Sequence, residues 1–306
     1  MKQAIISGST GLLAIPLVRI LHEKGIQAIC LGSKTHSKDR IHEIFGFDAI
    51  YLPLLMENIK ILPNHLSELG LSITNSCIFY NFAWRGLTNL TDGSFADQLK
   101  NAVCSAEAVK VAKNIGCIKY INIGSIQETL IENTSNNSTN DWNSMQTNYS
   151  LSKVASRDMC KITAYLEKID YVHTRFSIPL DFSLKKGSYV SKTLKEIIVT
   201  GTFAPPSNKQ LFDIISLEDS AEYLYLVGLI GKNKHDYYIG SGIPAKLEEF
   251  FWFFQHIVHG QNSSKLCLSV CNSPDQSYFD TSRIQNLTDR KPLLSFEELA
   301  LSLRKS

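Results

Sequence analysis

Short apolar runs alternate with amphipathic segments along the first half of this chain. The apolar runs are bounded by glycine or polar residues, which predicts buried strands at residues 3–7, 27–31, 77–83, 119–123 and 171–176. Apolar residues recur at helical spacing within residues 17–21, 95–116 and the segment that begins at 149. Strands that alternate with helices indicate an α/β fold with a doubly wound parallel sheet.

Beyond residue 178 the alternation is less regular. We predict a loop at 180–187, a helix from Ser191, a strand at 210–215, a helix capped at 216–219 and a strand at 236–239. The aromatic run at 250–254 is more typical of a core or an interface than of a membrane contact.

The predicted domains follow from this change of pattern. Residues 1–178 form a dinucleotide-binding domain, to which 210–232 return, while 179–209 and 233–306 form a smaller C-terminal α/β lobe for substrate. The polar stretch at 133–148 has Trp142 as almost its only core-forming residue. We predict a long loop there that bears on the site.

Composition narrows the class of protein. The 306 residues are 44% hydrophobic and carry a net charge of +2, with 31 scattered Lys and Arg residues, which argues against nucleic acid or a membrane as the main partner. The seven cysteines lack a paired C-x-x-C spacing, so we expect reduced thiols in a cytoplasmic protein and no metal site. The apolar start is too brief for a signal peptide, and no run approaches the roughly 20 residues of a membrane span.

A glycine turn follows the first strand. The pattern G-x-x-G-x-x-A lets the backbone approach a pyrophosphate at the start of a helix, where the helix dipole favours negative charge. We therefore predict that this turn binds a dinucleotide through Gly8, Ser9, Thr10, Gly11, Leu12 and Leu13, with Ala14 packing the helix.

The end of the second strand bears on the choice of cofactor. Sites that prefer NAD place an acid there for the ribose hydroxyls, whereas NADP sites place basic groups near the 2′-phosphate. This chain has no acid at the strand end, where Ser33 and Lys34 stand, and Lys38 and Arg40 follow within reach. We predict NADP(H), with NAD(H) possible; the alternative is an ordinary solvated basic loop.

Tyr149 and Lys153 lie four residues apart on a predicted helix and therefore share a face. The ordinary pKa of a phenol is about 10. A neighbouring ammonium favours the phenolate and is expected to lower that pKa towards neutral pH, where acid–base catalysis is most effective. The alternative is an exposed helix that carries one aromatic residue.

These features together resemble the extended short-chain dehydrogenase/reductase superfamily, in its branch of nucleotide-sugar epimerases, dehydratases and ketoreductases. The resemblance covers nearly the whole chain. It rests on the glycine turn, Asn81-Phe82-Ala83-Trp84, Asn101, Ile123-Gly124-Ser125, Tyr149-x-x-x-Lys153, Arg175-Phe176-Ser177, and the segments 212–219 and 238–242.

The resemblance implies roles for individual residues. Ser125 would hydrogen-bond the substrate oxygen, Tyr149 would exchange a proton, and Lys153 would lower the tyrosine pKa and hold the nicotinamide ribose. Further cofactor contacts are implied at Phe82, Ala83, Trp84, Asn101, Ile123, Phe176, Ser177 and Ile178, and substrate contacts at Trp84, Arg85, Ser125, Gln127 and Tyr149. A homodimer packed through the helices at 95–115 and 149–167 is also implied.

Departures from the family pattern narrow the reaction. The Asp-Glu pair of the dehydratases is replaced by Ile126 and Gln127, which disfavours dehydration. We expect an NADP(H)-dependent ketoreductase of a nucleotide-activated 4-keto-deoxysugar in bacterial surface-polysaccharide synthesis. The alternatives are an epimerase that holds its NAD(P) tightly, a non-catalytic NADP-binding sensor on the same fold, and a reductase of small non-sugar carbonyls.

Overall fold

A computed structural model of the chain describes residues 1–86, 93–136, 147–185, 187–207, 210–260 and 274–304, with the backbone alone described at 133–136 and 274–276. The chain divides into two units. The first comprises Met1–Arg175 and Leu224–Tyr237, and the second comprises Phe176–Tyr223 and Tyr238–Ser306.

The first unit is organised around a seven-stranded sheet. Its strands are β1 (Gln3–Ser7), β2 (Gln27–Gly32), β3 (Ile50–Pro53), β4 (Cys77–Asn81), β5 (Lys119–Ile123), β6 (Asp170–Phe176) and β10 (His235–Ile239), in the order β3-β2-β1-β4-β5-β6-β10. The five pairs among β1–β6 are parallel. The strand order reverses between β1 and β4, and ligands of such sheets bind at the carboxyl ends of the strands at this point.

Helices connect these strands. They are α1 (Ala14–Glu23), α2 (Lys38–Phe45), α3 (Leu62–Glu68), α4 (Phe95–Asn114), α5 (Thr129–Asn136), α6 (Asn148–Glu167) and α8 (Leu217–Ile230). Every residue of β1, β4 and β5 is buried, as expected of a parallel sheet covered on both faces. Among the described helices, none is long and apolar enough to cross a membrane.

The second unit has its own core. Two short strand pairs, β7 (Ile178–Leu180) with β9 (Ile214–Ser216) and β8 (Leu211–Phe212) with β11 (Ala245–Lys246), are accompanied by α7 (Tyr189–Thr200), α9 (Leu247–Val258), α10 (Ser282–Thr288) and α11 (Phe296–Ser302). The aromatic run of α9 supplies this core: Phe250, Phe251, Phe253 and Phe254 are buried, and Trp252 is exposed.

Two segments differ from the sequence prediction. The predicted strand at 210–215 is two short strands interrupted at Asp213. The buried Asp213 carboxylate accepts hydrogen bonds from the Tyr238 hydroxyl and the Gly242 N–H, both at 2.9 Å, which takes this residue out of a continuous ladder. The predicted loop at 133–148 is helical up to Asn136, because α5 continues from a capped turn; its remainder at 137–146, with Trp142, lies outside the described residues.

The segment that returns to the first unit is also different. It is Leu224–Tyr237, rather than the predicted 210–232. The reason is that β8 and β9 pair with β11 and β7 of the second unit, while β10 joins the large sheet. The predicted role of the second unit in binding substrate stays a prediction.

The cysteines that the structure describes have free thiols. Four of them are buried and Cys104 is partly exposed, which agrees with small core residues. Cys267 and Cys271 lie outside the described residues.

Candidate active site

The glycine turn packs against the segment that follows β4. Gly8 has a φ of +65°, and a Cβ built on it would lie 2.8 Å from the Ala83 nitrogen, so only glycine fits this close approach. The Gly11 N–H donates to the Gly8 carbonyl at 2.9 Å and closes the turn. Ser9 is fully buried and donates to the Leu31 carbonyl at 3.0 Å, so its hydroxyl holds the turn against β2.

A cleft of about 250 Å³ opens beside this turn. Its walls come from the turn, from the ends of β2, β3 and β4, and from α4. Of the predicted residues, it is lined by Gly8, Thr10, Gly11, Ser33, Phe82, Ala83, Trp84, Arg85 and Asn101. Leu12 and Leu13 are not among the lining residues. The prediction missed Gly32, Leu54, Leu55, Met56, Glu57, Asp97, Lys100 and Cys104.

An ion cluster lies at the wall of the cleft that α4 forms. Glu57 pairs with Lys100 and, at 3.3 Å, with Arg85. Glu57 belongs to a 3₁₀ turn after β3. Its spacing of several residues from the strand is why the sequence pattern did not indicate it.

The basic loop after β2 is exposed. Ser33 lines the cleft, whereas Lys34 and Lys38 do not, and all three are exposed. Arg40 pairs with Glu43 at 2.7 Å on the same helix. The Lys34 carbonyl accepts a hydrogen bond from the Tyr51 hydroxyl at 2.6 Å, which ties the loop backbone to β3.

The helix α6 presents Tyr149 and Lys153 because of its cap. Thr147 and Ser150 form a capping box, in which the Ser150 N–H donates to Thr147 Oγ1 at 3.2 Å and the Thr147 N–H donates to Ser150 Oγ at 3.0 Å. Tyr149 therefore lies in the first turn and Lys153 one turn later. Lys153 Nζ lies 5.7 Å from the centre of the Tyr149 ring, which agrees with the predicted shared face.

Trp84 contacts both of these side chains. Lys153 Nζ lies 3.9 Å from the centre of the indole, a cation–π contact, and the indole meets the Tyr149 ring edge to face at 5.8 Å. Trp84 Nε1 donates to Gln98 Oε1 at 2.7 Å, which fixes the ring. Lys153 also donates to the Ile123 carbonyl at 2.8 Å.

Ser125 ends the turn after β5 and adjoins Tyr149. Its backbone is extended, and its hydroxyl accepts the Gln127 N–H at 3.2 Å. Its side chain lies close enough to the Tyr149 phenol to oppose the rise of the phenol pKa. The three predicted catalytic residues, Ser125, Tyr149 and Lys153, are thus brought together. Gln127 is buried beside Ser125 and contributes its backbone to this turn.

The pKa values of this group differ from the sequence prediction. Desolvation raises the pKa of Tyr149 to about 12, and the charge of Glu128 adds to this, while the hydrogen bond with Ser125 opposes it. Desolvation lowers the pKa of Lys153 to about 8. The predicted lowering of the Tyr149 pKa by Lys153 is therefore wrong for this structure, because the ammonium is directed to the Ile123 carbonyl and the Trp84 ring.

A buried ion network behind Ser125 was not predicted. Glu128 is fully buried and lies 2.9 Å from Nε2 of the equally buried His173, and Arg157 and Arg175 each approach its carboxylate to 3.8 Å. Both arginines also pair with Glu132. The S-x-x-E spacing of Ser125 and Glu128 is a capping-box signal that could have indicated the carboxylate.

The remaining predicted cofactor residues follow β6. Phe176 ends this strand, and Phe176, Ser177 and Ile178 all belong to the second unit. Ser177 Oγ accepts the Asp213 N–H at 3.0 Å. Their role in binding a cofactor stays a prediction. In the part of the chain that the structure describes, no group of three or more His, Cys, Asp or Glu side chains could hold a metal ion.

Comparison with solved structures identifies the fold. The UDP-glucose 4-epimerase of Thermotoga maritima is 14% identical, with a TM-score of 0.69 over 98% of this chain and 97% of that chain. The UDP-N-acetylglucosamine 4-epimerase of Bacillus cereus is 15% identical, with a TM-score of 0.67 over 99% and 98%. The dTDP-glucose 4,6-dehydratase of Bacillus anthracis, solved in complex with NAD, is 14% identical, with a TM-score of 0.71 over 99% and 95%.

This likeness over nearly the full length of each chain shows the fold. The chain has the α/β fold of these epimerase and dehydratase structures, so the predicted fold class is confirmed. No protein-family model matches the sequence, and no curated protein matches it at a significant level. Because one fold serves several chemistries, activity has to be argued from the site.

Proposed function

We propose that this protein is an NADP(H)-dependent oxidoreductase of nucleotide-activated sugars, and specifically a ketoreductase of a 4-keto-deoxysugar. The observation that carries the proposal is the position of Trp84. This residue lines the cleft beside the glycine turn and contacts both Tyr149 and Lys153. The acid–base groups therefore stand at the end of a cleft that suits a dinucleotide.

The residues of the cleft fit the diphosphate part of a dinucleotide. Among the residues that the structure describes, only the Gly8 carbonyl, at 3.1 Å, lies within 4 Å of a Cβ built on Gly11, and Gly11 is exposed. This face of the turn is therefore open to a ligand. Backbone N–H groups at the start of α1 and the helix dipole favour negative charge there. At the other end, the indole of Trp84 covers the Lys153 ammonium and has to move before a ribose can reach it.

The chemistry assigned to the side chains follows from their contacts. A reduced nicotinamide, when bound, supplies hydride to a carbonyl carbon. The Tyr149 hydroxyl is neutral at physiological pH, since its pKa is about 12, and can donate its proton to the carbonyl oxygen. Ser125 provides a second hydrogen bond to that oxygen, and Lys153, cationic below about pH 8, stabilises the negative charge that develops.

The proposed preference for NADP(H) rests on the end of β2. This strand ends at Gly32, and the next residue, Ser33, lines the cleft with no acid beside it. The carboxylates that do line the cleft have partners: Glu57 pairs with Lys100 and Arg85, and Asp97 accepts the Ser94 hydroxyl at 2.7 Å. Lys34 and Lys38 are free to approach a 2′-phosphate from solvent.

A second candidate is an epimerase that keeps its cofactor bound. The observation that favours it is the similarity in fold to the 4-epimerases of UDP-glucose and UDP-N-acetylglucosamine. An epimerase and a ketoreductase use the same proton and hydride positions. They differ in whether the oxidised cofactor leaves, which makes cofactor retention the discriminating property.

Binding and turnover of the purified protein test the proposal in two steps. First, the protein is titrated with NADPH and with NADH, and the protein as isolated is analysed for bound cofactor. Second, NADPH oxidation is followed with UDP- and dTDP-linked 4-keto-deoxysugars and with small ketones that lack a nucleotide. We expect tighter binding of NADPH and oxidation with the sugar nucleotides alone.

Other outcomes point to the other functions. Co-purified NAD with interconversion of sugar epimers would support the epimerase. Oxidation of NADPH by the small ketones would support a general carbonyl reductase. Binding of NADPH without turnover of any substrate would support a sensor, and absence of binding would reject the oxidoreductase altogether.

We further propose a homodimer through α4 and α6. Large apolar side chains are exposed on both helices: Phe95 and Val103 on α4, and Ile162, Tyr165 and Leu166 on α6, the last three between 62% and 70% exposed. Contiguous exposed apolar residues mark interaction surfaces. Light scattering is expected to give a dimer for the wild type and a monomer for the double variant Val103→Asp, Ile162→Asp; a monomeric wild type would reject the dimer.

A further inference from the structure

The turn that carries Ser125 is held by one buried carboxylate. Glu128 Oε1 accepts the Ser125 N–H at 2.8 Å, and the Gln127 N–H donates to Ser125 Oγ at 3.2 Å. These two bonds fix both the backbone and the side chain of Ser125. A Cβ on the neighbouring Gly124 would contact Glu128 Oε1 and the His173 ring, so the chain passes directly over the carboxylate.

The carboxylate in turn is held from the side away from Ser125. His173 Nε2 lies 2.9 Å from Glu128 Oε2, and the other ring nitrogen of His173 lies 3.3 Å from Asn122 Nδ2 and 3.4 Å from the Tyr171 hydroxyl. His173 comes from β6 and Asn122 from β5, both central strands of the sheet. Glu128 therefore connects the Ser125 turn to the rigid sheet and so fixes the position of Ser125.

A buried carboxylate stays charged only if nearby charges and hydrogen bonds offset the cost of removing it from water. Glu128 is 0% exposed, and desolvation alone would favour its neutral form. His173, Arg175 and the Ser125 N–H outweigh desolvation and hold the pKa of Glu128 below its ordinary value. The carboxylate is thus charged at neutral pH, and breaking such a buried, compensated arrangement is costly.

We propose that Glu128 is a positioning residue of the candidate active site: held by His173, its carboxylate fixes the Ser125 turn so that the serine hydroxyl meets the Tyr149 phenol. This inference rests on the proposed function for its catalytic meaning. The contacts among Ser125, Glu128, His173 and Tyr149 do not depend on which substrate is used.

The same charge acts on the two ionisable groups of the site. Glu128 raises the pKa of Lys153, against the lowering by desolvation, and so helps to keep the ammonium charged; the thiol of Cys160 acts in the same direction. It also adds to the raised pKa of Tyr149. Both effects keep the proton on the groups that the proposed reduction needs protonated.

The test reads the environment of Tyr149 directly. The protein is labelled with fluorotyrosine, and the fluorine NMR signal of Tyr149 is assigned by its loss in Tyr149→Phe. Ser125→Ala gives the signal position without the serine hydroxyl. Glu128→Ala removes the acceptor of the Ser125 N–H, Glu128→Gln keeps an acceptor oxygen without the charge, and His173→Gln removes the ring that holds the carboxylate.

Glu132→Gln is the matched control. Glu132 pairs with the same two arginines, Arg157 and Arg175, and in the described part of the chain it forms no hydrogen bond or ion pair with Ser125. A role that is only structural predicts similar losses of stability for Glu128 and Glu132 variants and an unchanged Tyr149 signal in those that fold. A positioning role predicts a signal that moves when Glu128 or its partner His173 is changed and not when Glu132 is changed.

We expect the Tyr149 signal of Glu128→Ala to move to the position found in Ser125→Ala, that of Glu128→Gln to stay near the wild type, and that of Glu132→Gln to be unchanged. Where a substrate is identified, kcat of Glu128→Ala should fall by roughly 10- to 100-fold with little change in KM, since misplacement of one group has effects of this order.

An unchanged Tyr149 signal in folded Glu128→Ala would overturn the proposal, as would an equal shift in Glu132→Gln. If Glu128→Ala does not fold, His173→Gln decides: a signal displaced towards that of Ser125→Ala supports the positioning role, and an unchanged one rejects it. Because no substrate enters these spectra, failure of the positioning role is distinct from failure of the proposed enzymatic function.

Discussion

Around Ser125, Tyr149 and Lys153, polar groups are buried and tied to the sheet, whereas beside Ser33, at the wall of the cleft, the neighbouring lysines are exposed to solvent. Burial makes charge interactions strong and shifts pKa values, as at Tyr149 and Lys153. Exposure leaves charges screened by water and salt. The buried group of Ser125, Tyr149 and Lys153 should therefore respond strongly to single substitutions, and the exposed basic loop after β2 weakly.

The largest effect is expected from Tyr149→Phe. Removing the hydroxyl removes the proposed acid, so turnover should fall by about 10²- to 10⁴-fold. The affinity for NADPH should change little, because the glycine turn is untouched. NADPH oxidation and a binding titration measure the two quantities. Tyr165→Phe, on the exposed face of the same helix, is the control and should retain wild-type turnover.

Gly8→Ala should disrupt the conformation of the glycine turn between β1 and α1. A left-handed backbone costs roughly 1–2 kcal/mol for a residue with a Cβ, and here the Cβ would also lie 2.8 Å from the Ala83 nitrogen. We expect loss of NADPH binding in a titration, together with reduced stability in urea.

Gly25→Ala separates these two causes. Gly25 has a φ of +69°, and no atom of the described residues lies within 4 Å of a Cβ built on it, so it tests backbone strain alone. It should lose stability and keep NADPH binding. Equal loss of binding in both variants would contradict the close-approach role of Gly8.

Lys153→Met tests the pKa of Lys153 through the pH dependence of the free energy of unfolding. The folded pKa of Lys153, about 8, lies below its ordinary value of 10.5, so between these values the unfolded chain binds more protons. Lys153 thus contributes a stability that rises with pH from about 8 to about 10.5 and is lost as pH falls through the folded pKa.

Urea unfolding of the wild type and Lys153→Met across this range measures the contribution as a difference. We expect the stability advantage of Lys153→Met over the wild type to shrink as pH rises. A difference that does not depend on pH would show that the Lys153 ammonium has an ordinary pKa.

The smallest effect is expected from Lys34→Ala. An exposed ion pair contributes little, so the affinity for NADPH should fall by about two- to fivefold, with no change for NADH. The loss should shrink at high salt. Lys24→Ala, on the loop that follows α1, is a control of equal charge. Equal losses for NADPH and NADH would exclude a contact of Lys34 with the 2′-phosphate.

Several parts of the site followed from local sequence. They are the turn at Gly8 and Gly11, the cap of α6, and the shared face of Tyr149 and Lys153. Each depends on residues only a few positions apart, so a short stretch of sequence determines its geometry. The alternation of buried runs with amphipathic segments similarly determined the parallel sheet.

Tertiary structure decided the rest. Glu128 and His173 lie 45 positions apart and meet because β5 and β6 are neighbours in the sheet. Trp84 covers Lys153 for the same kind of reason, since β4 and α6 bring them together. The direction of the Tyr149 pKa shift was predicted wrongly, because desolvation depends on everything packed around a group and has no local sequence pattern.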